Sequence, residues 1–144
     1  MGVQGEATTT PARLIVVDDH ALVRKGMEGM LQGEPDLEIV GEAADGREAV
    51  SIAKKRTPDV IIMDINMPRM DGIEATRRIK KEQPGTVIIA VSVNDTADIR
   101  ETLQKAGASA FVSKDEAGER LYETIMTMAL PREEAGASPD RIIG

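Results

Sequence analysis

The residues of this sequence best suited to chemistry each follow a short apolar run. Asp18 and Asp19, with His20 behind them, come after Arg13–Val17 (RLIVV), and Asp64 comes after Val60–Met63 (VIIM). Ser92 follows Val87–Val91 (VIIAV), and Ser113 and Lys114 follow Ala110–Val112 (AFV). A carboxylate at the end of a buried apolar segment is costly unless its charge has something to hold. Three carboxylates drawn together repel and raise one another's pKa. A hard divalent cation resolves that conflict, because Mg²⁺ takes oxygen ligands and keeps several waters. Protonated Lys114 cannot ligate a metal, so its charge is free to serve an anion. Metal, ammonium and hydroxyl around one carboxylate suit an incoming group with several anionic oxygens, and a phosphoryl group fits. Asp64 then reads as a nucleophile that forms an aspartyl phosphate.

These residues are far apart in sequence, so a fold must bring them together. The apolar runs, with Leu37–Ala43 (LEIVGEA) as a further one, number five. Most are rich in β-branched residues and nearly continuous rather than alternating, as parallel strands are when helices cover both faces. Helical spacing lies between them: Val23, Met27, Met30 and Leu31, then Ile99, Leu103 and Ala106, then Leu121, Ile125 and Met128. Asp45 with Glu48 and Asp71 with Glu74 have capping-box spacing, so each opens a helix. Gly33 and Gly107 stand where helices should end. The alternation predicts an α/β (βα)5 unit, a doubly wound parallel sheet of five strands with right-handed crossovers. Ligands of such sheets sit beyond the carboxyl ends of the strands, where Asp18, Asp19, Asp64, Ser92, Ser113 and Lys114 fall.

Composition narrows the rest. The 144 residues suit one domain, with residues 1–12 a polar leader expected to be disordered and 131–144 a tail or severed linker. With one Tyr, one Phe and no Trp, the core must be aliphatic. A formal net charge of −7 argues against direct nucleic-acid binding, which needs a basic face. There is no cysteine for a disulfide or thiolate, and no apolar run approaches a membrane span, so a cytoplasmic protein is expected.

Asp18-Asp19, Asp64 with Met67-Pro68 and Asp71-Gly72, Ser92, and Lys114 three residues after Phe111 resemble the receiver domain of bacterial two-component response regulators. The likeness covers about residues 13–130, and "VVDDHALVRKGM", "IIAVSVND" and "KAGASAFVSKD" are similar to its NarL/LuxR-like subfamily. It implies a flavodoxin-like fold in strand order 2-1-3-4-5. It implies that Asp64 accepts phosphate from the phosphohistidine of a sensor histidine kinase. Asp19 and Asp64 would ligate Mg²⁺ directly with the carbonyl of Asn66, and Asp18 through a water. Lys114 and Ser92 would hold the phosphoryl oxygens. Phe111 would turn inward when Ser92 moves, reshaping the face made by the fourth helix, fifth strand and fifth helix. Homodimerisation on phosphorylation and a C-terminal helix-turn-helix output domain, missing from this chain, complete the expectation.

Plainer readings stand beside these. Asp18 and Asp19 would also cap the first helix, Ser92 would also satisfy a backbone group, and Phe111 packs whether or not it switches. His20 reads as a partly exposed residue near the start of a helix. A Mg²⁺-dependent phosphatase of haloacid dehalogenase type also uses an aspartate nucleophile, but it needs D-x-D, and Asn66 stands where the second carboxylate belongs. A stand-alone receiver acting by protein–protein contact is the other alternative. Val93, directly after Ser92, is expected at the mouth of the pocket as a stiff, β-branched gate over the donor's approach.

Overall fold

The computed structural model describes residues 10–67 and 71–128. Of the leader expected over 1–12, residues 1–9 lie outside those residues, as do the tail over 131–144 and Pro68 of the Met-Pro pair; Ala12 belongs instead to the first strand, where its side chain is buried. Five parallel strands form one sheet in the order β2-β1-β3-β4-β5. They are β1 (Ala12–Val17), β2 (Leu37–Ala43), β3 (Val60–Asp64), β4 (Val87–Ser92) and β5 (Ala110–Ser113). The helices α1 (Ala21–Gln32), α2 (Gly46–Arg56), α3 (Gly72–Glu82), α4 (Ala97–Ala106) and α5 (Ala117–Met128) follow the strands in turn, with a single 3₁₀ turn over Lys114–Glu116 before α5. The apolar runs fall on these strands to within a residue. Asp64, Ser92 and Ser113 each prove to be the last residue of a strand rather than the first of a loop, and buried Ala12 opens β1.

The strands look continuous in sequence because both of their faces are covered. Leu14, Val16, Val60, Ile62, Ile89 and Val91 pack with Met27 and Leu31 of α1 and Leu121 and Ile125 of α5. Their neighbours Ile15, Val17, Ile61, Met63 and Ile88 face the other way, onto Ala49 and Ala53 of α2 and Ala75 and Ile79 of α3. Side chains alternate across a strand, so two covered faces require apolar residues at every position. A third cluster, Ile65, Ala90 and Leu103 with Ile99 and Phe111 beside it, seats α4 near β5.

The capping positions behave as their spacing predicts, with one difference. Asp45 accepts the N–H of Glu48 at 2.9 Å and Asp71 accepts that of Glu74 at 2.8 Å. The return bond is displaced: Glu48 accepts from Ala44 one residue before the cap, and Glu74 turns instead to Arg77 and Arg78. Gly107 ends α4 with φ +116°, where a side chain would be strained. The apolar stripe of α1 is wider than the core needs. Met27 and Leu31 are buried, whereas Val23 and Met30 are about 40% exposed.

Candidate functional site

Register brings the strand ends together. Asp64 pairs with Val91 and Ser92 with Ser113, while the Asp18 N–H donates to the Ala43 carbonyl just past the end of β1. The carboxylate of Asp64 is 1% exposed; its Oδ1 accepts the N–H of Asn66 at 3.0 Å, and its Oδ2 lies 3.5 Å from Lys114 Nζ. Asp18 is fully buried, with Oδ1 accepting the His20 N–H at 2.8 Å and Oδ2 facing the same Lys114 ammonium at 3.2 Å. Asp19 is more open, and its Oδ1 lies 3.2 Å from Nδ1 of the exposed His20 imidazole. His20, rather than either aspartate, occupies the cap position of α1, and it makes no side-chain capping bond.

The electrostatics follow from this packing. Burial pushes the Asp64 carboxyl up to about 6; the Asn66 N–H opposes the rise, Asp18 adds to it, Lys114 opposes it and Asp19 adds a little more. Lys114 moves the other way from a buried amine: burial lowers its pKa, but the charges of Asp64 and Asp18 outweigh that and leave it raised. Two buried carboxylates therefore share one ammonium, with Asp19 paired to His20 beside them. Oδ2 of Asp18, Oδ1 of Asp19 and Oδ2 of Asp64 are buried and accept no well-aligned hydrogen bond. The ligand atoms that lie within 4.8 Å of one another are those of Asp18, Asp19 and His20, and the spare carboxylate oxygens there, with Asp64 nearby, suit a hard divalent cation.

Ser92 is buried beside this set. Its Oγ donates to Asn66 Oδ1 at 3.2 Å and accepts the Asn94 N–H at 3.0 Å, so the hydroxyl is spoken for by the loop rather than by Asp64. Phe111 is half-buried on β5, under the guanidinium of Arg100. Val93 is 63% exposed, so it is not held under α4. Asp18, Asp64 and Lys114 thus meet directly, Asp19 lies alongside, and Ser92 joins Asp64 through Asn66. Two residues escaped the sequence reading. Asp71-Gly72 reads as turn and cap chemistry, yet a Cβ on Gly72 would run into the main chain of Asp64 and Ile65. Arg100 lies one helical turn into α4 and gives no local hint of its ring contact.

A doubly wound parallel sheet with an acidic pocket and a lysine at its carboxyl end defines a class of α/β domains with a charged site at the strand ends. Within that class, residues 14–126 match the family of the response regulator receiver domain, and the chain belongs to it. It is 36% identical over 117 residues to the transcriptional regulatory protein DegU of Brevibacillus brevis, covering 81% of this chain and 50% of that one. It is 50% identical over 105 residues to a protein-glutamate methylesterase/protein-glutamine glutaminase of Alkalilimnicola ehrlichii, covering 71% of this chain and 26% of that enzyme. The solved structure of a LuxR-family two-component response regulator from Aurantimonas superposes with a TM-score of 0.79 at 33% identity, over 83% of this chain and 85% of that one. The chain spans half or less of the length of the curated relatives named here. Among the described residues, no helix is long and apolar enough to cross a membrane.

Proposed function

We propose that this chain is a phosphorylatable switch in which Asp64 accepts a phosphoryl group from the phosphohistidine of a sensor histidine kinase. The observation that carries the reading is Lys114 bridging the buried carboxylates of Asp64 and Asp18, with Asp19 alongside. A carboxylate oxygen of Asp64 attacks phosphorus, the P–N bond breaks, and the donor imidazole leaves with the electron pair. Lys114 moves from the two aspartates onto the phosphoryl oxygens. Ser92 gives up Asn66 and donates to one of those oxygens. Asp19, Asp64 and the main-chain carbonyl of Asn66 would hold Mg²⁺, with Asp18 acting through a water. The ion's charge would offset the oxygens gathered at phosphorus. Phe111 follows Ser92 and alters the α4-β5-α5 face.

Residues 13–130 are the receiver unit in this reading, and the chain has no enzymatic activity beyond its own phosphorylation and dephosphorylation. The setting is cytoplasmic. Response regulators work with histidine kinases and often carry a DNA-binding output domain, so contact with DNA would run through such a domain and phosphorylation would favour a homodimer. A phosphatase of haloacid dehalogenase type is not favoured, because Asn66 supplies no second carboxylate. The direct test is phosphate-affinity gel retardation with acetyl phosphate and Mg²⁺. A retarded, hydroxylamine-labile band should form on wild type and not on Asp64→Asn, and a band that persists in the mutant defeats the reading.

Val93 is the proposed access gate. In-line attack needs donor, phosphorus and Asp64 oxygen aligned, and a stiff exposed side chain at the mouth narrows that approach. Val93→Ala should speed both phosphorylation by acetyl phosphate and loss of phosphate after donor removal. A change of about 1.4 kcal/mol in steric cost is tenfold in rate. If neither rate rises, Val93 does not gate.

A further inference from the structure

Arg100 connects two segments that the proposed switch must move together. Its Nε donates to Asp95 Oδ1 at 2.5 Å and its Nη2 to Asp95 Oδ2 at 3.0 Å, a bidentate fork that fixes the guanidinium plane. With its edge held, the guanidinium presents its face to Phe111, its central carbon 4.5 Å from the ring centroid. Asp95 lies three residues beyond Ser92 in the loop after β4, and Phe111 lies three residues before Lys114 on β5. An open groove of about 190 Å³, lined by Arg100, Leu103, Gln104, Ala108 and Phe111, runs beside the ring.

We propose that Arg100 is a positioning residue that ties the loop after β4 to the Phe111 ring and holds the resting arrangement of the switch. The inference rests on the reading of Ser92 and Phe111 as the moving pair. In the resting structure Ser92 is bonded to Asn66 and Asn94, the loop runs on to Asp95, and Asp95 aims Arg100 at the ring. When Ser92 turns to a phosphoryl oxygen the loop shifts, the fork on Asp95 is dragged with it, and the guanidinium leaves the ring face. Freed on that side, the ring turns. Removing the tie raises the share of molecules already in the switched arrangement, and a phosphoryl donor that favours that arrangement then reacts faster. A single exposed guanidinium–ring contact limits the gain to about two- to fivefold.

The chain has one phenylalanine, so biosynthetic 4-fluorophenylalanine gives one ¹⁹F resonance, that of Phe111. In wild type that resonance should move when beryllofluoride and Mg²⁺ are added; if it stays, the switch role of Phe111 fails whatever Arg100 does. Asp95→Asn leaves Arg100 and the ring in place but removes the charged fork. It should shift the resting resonance toward the beryllofluoride position and speed acetyl phosphate phosphorylation about two- to fivefold. Arg100→Lys keeps the charge without the fork and should do the same. The two changes combined should do no more than either alone, because they break one unit. Lys105→Gln, which breaks the exposed Lys105–Glu101 pair on the same helix, should change neither readout. The proposal is overturned if Asp95→Asn leaves both readouts at wild-type values, if the two effects add, or if Lys105→Gln matches them.

Discussion

At the scale of the residue, Asp64 is a charge in a place that resists it. Its ordinary value is 3.8, and burial with two neighbouring carboxylates lifts it to about 6 in the folded protein. A carboxyl whose folded pKa is raised binds its proton more tightly when folded. Its contribution to stability is therefore fully present below about pH 4 and is lost as pH rises through about 6. Two pKa units correspond to on the order of 2–3 kcal/mol. In metal-free buffer at pH 7.5, Asp64→Asn should melt above wild type, and the gap should close toward pH 4.5. A variant less stable than wild type at pH 7.5 would show that the acidic pocket carries no strain. That Asp18, Asp64 and Lys114 meet was legible in the sequence because each follows an apolar run, and the strand ends of a doubly wound sheet converge. Arg100 was not legible, since a contact between an exposed guanidinium and a ring eleven positions on leaves no mark in spacing or composition.

At the scale of the element, what holds Asp64 in place is largely backbone. The Gly72 N–H donates to the Ile65 carbonyl at 3.2 Å, and α3 begins so close to the end of β3 that only hydrogen fits at the Gly72 Cα. The obstruction is main chain on both sides, so no rotamer relieves it. Gly72→Ala should therefore cost about 1–3 kcal/mol, the range for overpacking, despite the better helix propensity of alanine. Chemical denaturation measures it, and a neutral or stabilising result would mean that α3 slides freely past β3. The five strands were legible because a sheet covered on both faces needs unbroken apolar runs, and the caps of α2 and α3 because their acceptors must be acidic or hydroxylic. The inward faces of α2 and α3 were not. They are made largely of Ala49, Ala53 and Ala75, residues too small to stand out as an apolar stripe although each is fully buried. The α1 pattern erred in the opposite sense, since Val23 and Met30 keep helical spacing yet remain partly in solvent.

At the scale of the whole molecule, the excess of acid at one end of the sheet means that the proposed cation, once bound, would be a term in folding. A divalent ion that binds the folded chain and not the unfolded one adds RT ln(1 + [L]/Kd), about 2.7 kcal/mol at a hundredfold excess over Kd. The ion would take up the spare oxygens of Asp19 and Asp64 directly and that of Asp18 through a water. The proton and such an ion would compete for Asp64, so binding and titration would be linked. Millimolar Mg²⁺ should accordingly raise Tm by several degrees at pH 7.5, since about 1 kcal/mol moves Tm by 2–8 °C in domains of this size range. The rise should shrink at pH 5, where Asp64 is largely protonated. Sodium chloride at matched ionic strength controls for simple screening of a chain whose formal charge is −7. Asp19→Asn should lose most of the rise if Asp19 is the direct ligand proposed above, since it leaves the pair between Lys114 and Asp64 untouched. A wild-type Tm that responds to Mg²⁺ no more than to sodium would mean that Lys114 alone balances the pocket, and the metal site would have to be withdrawn.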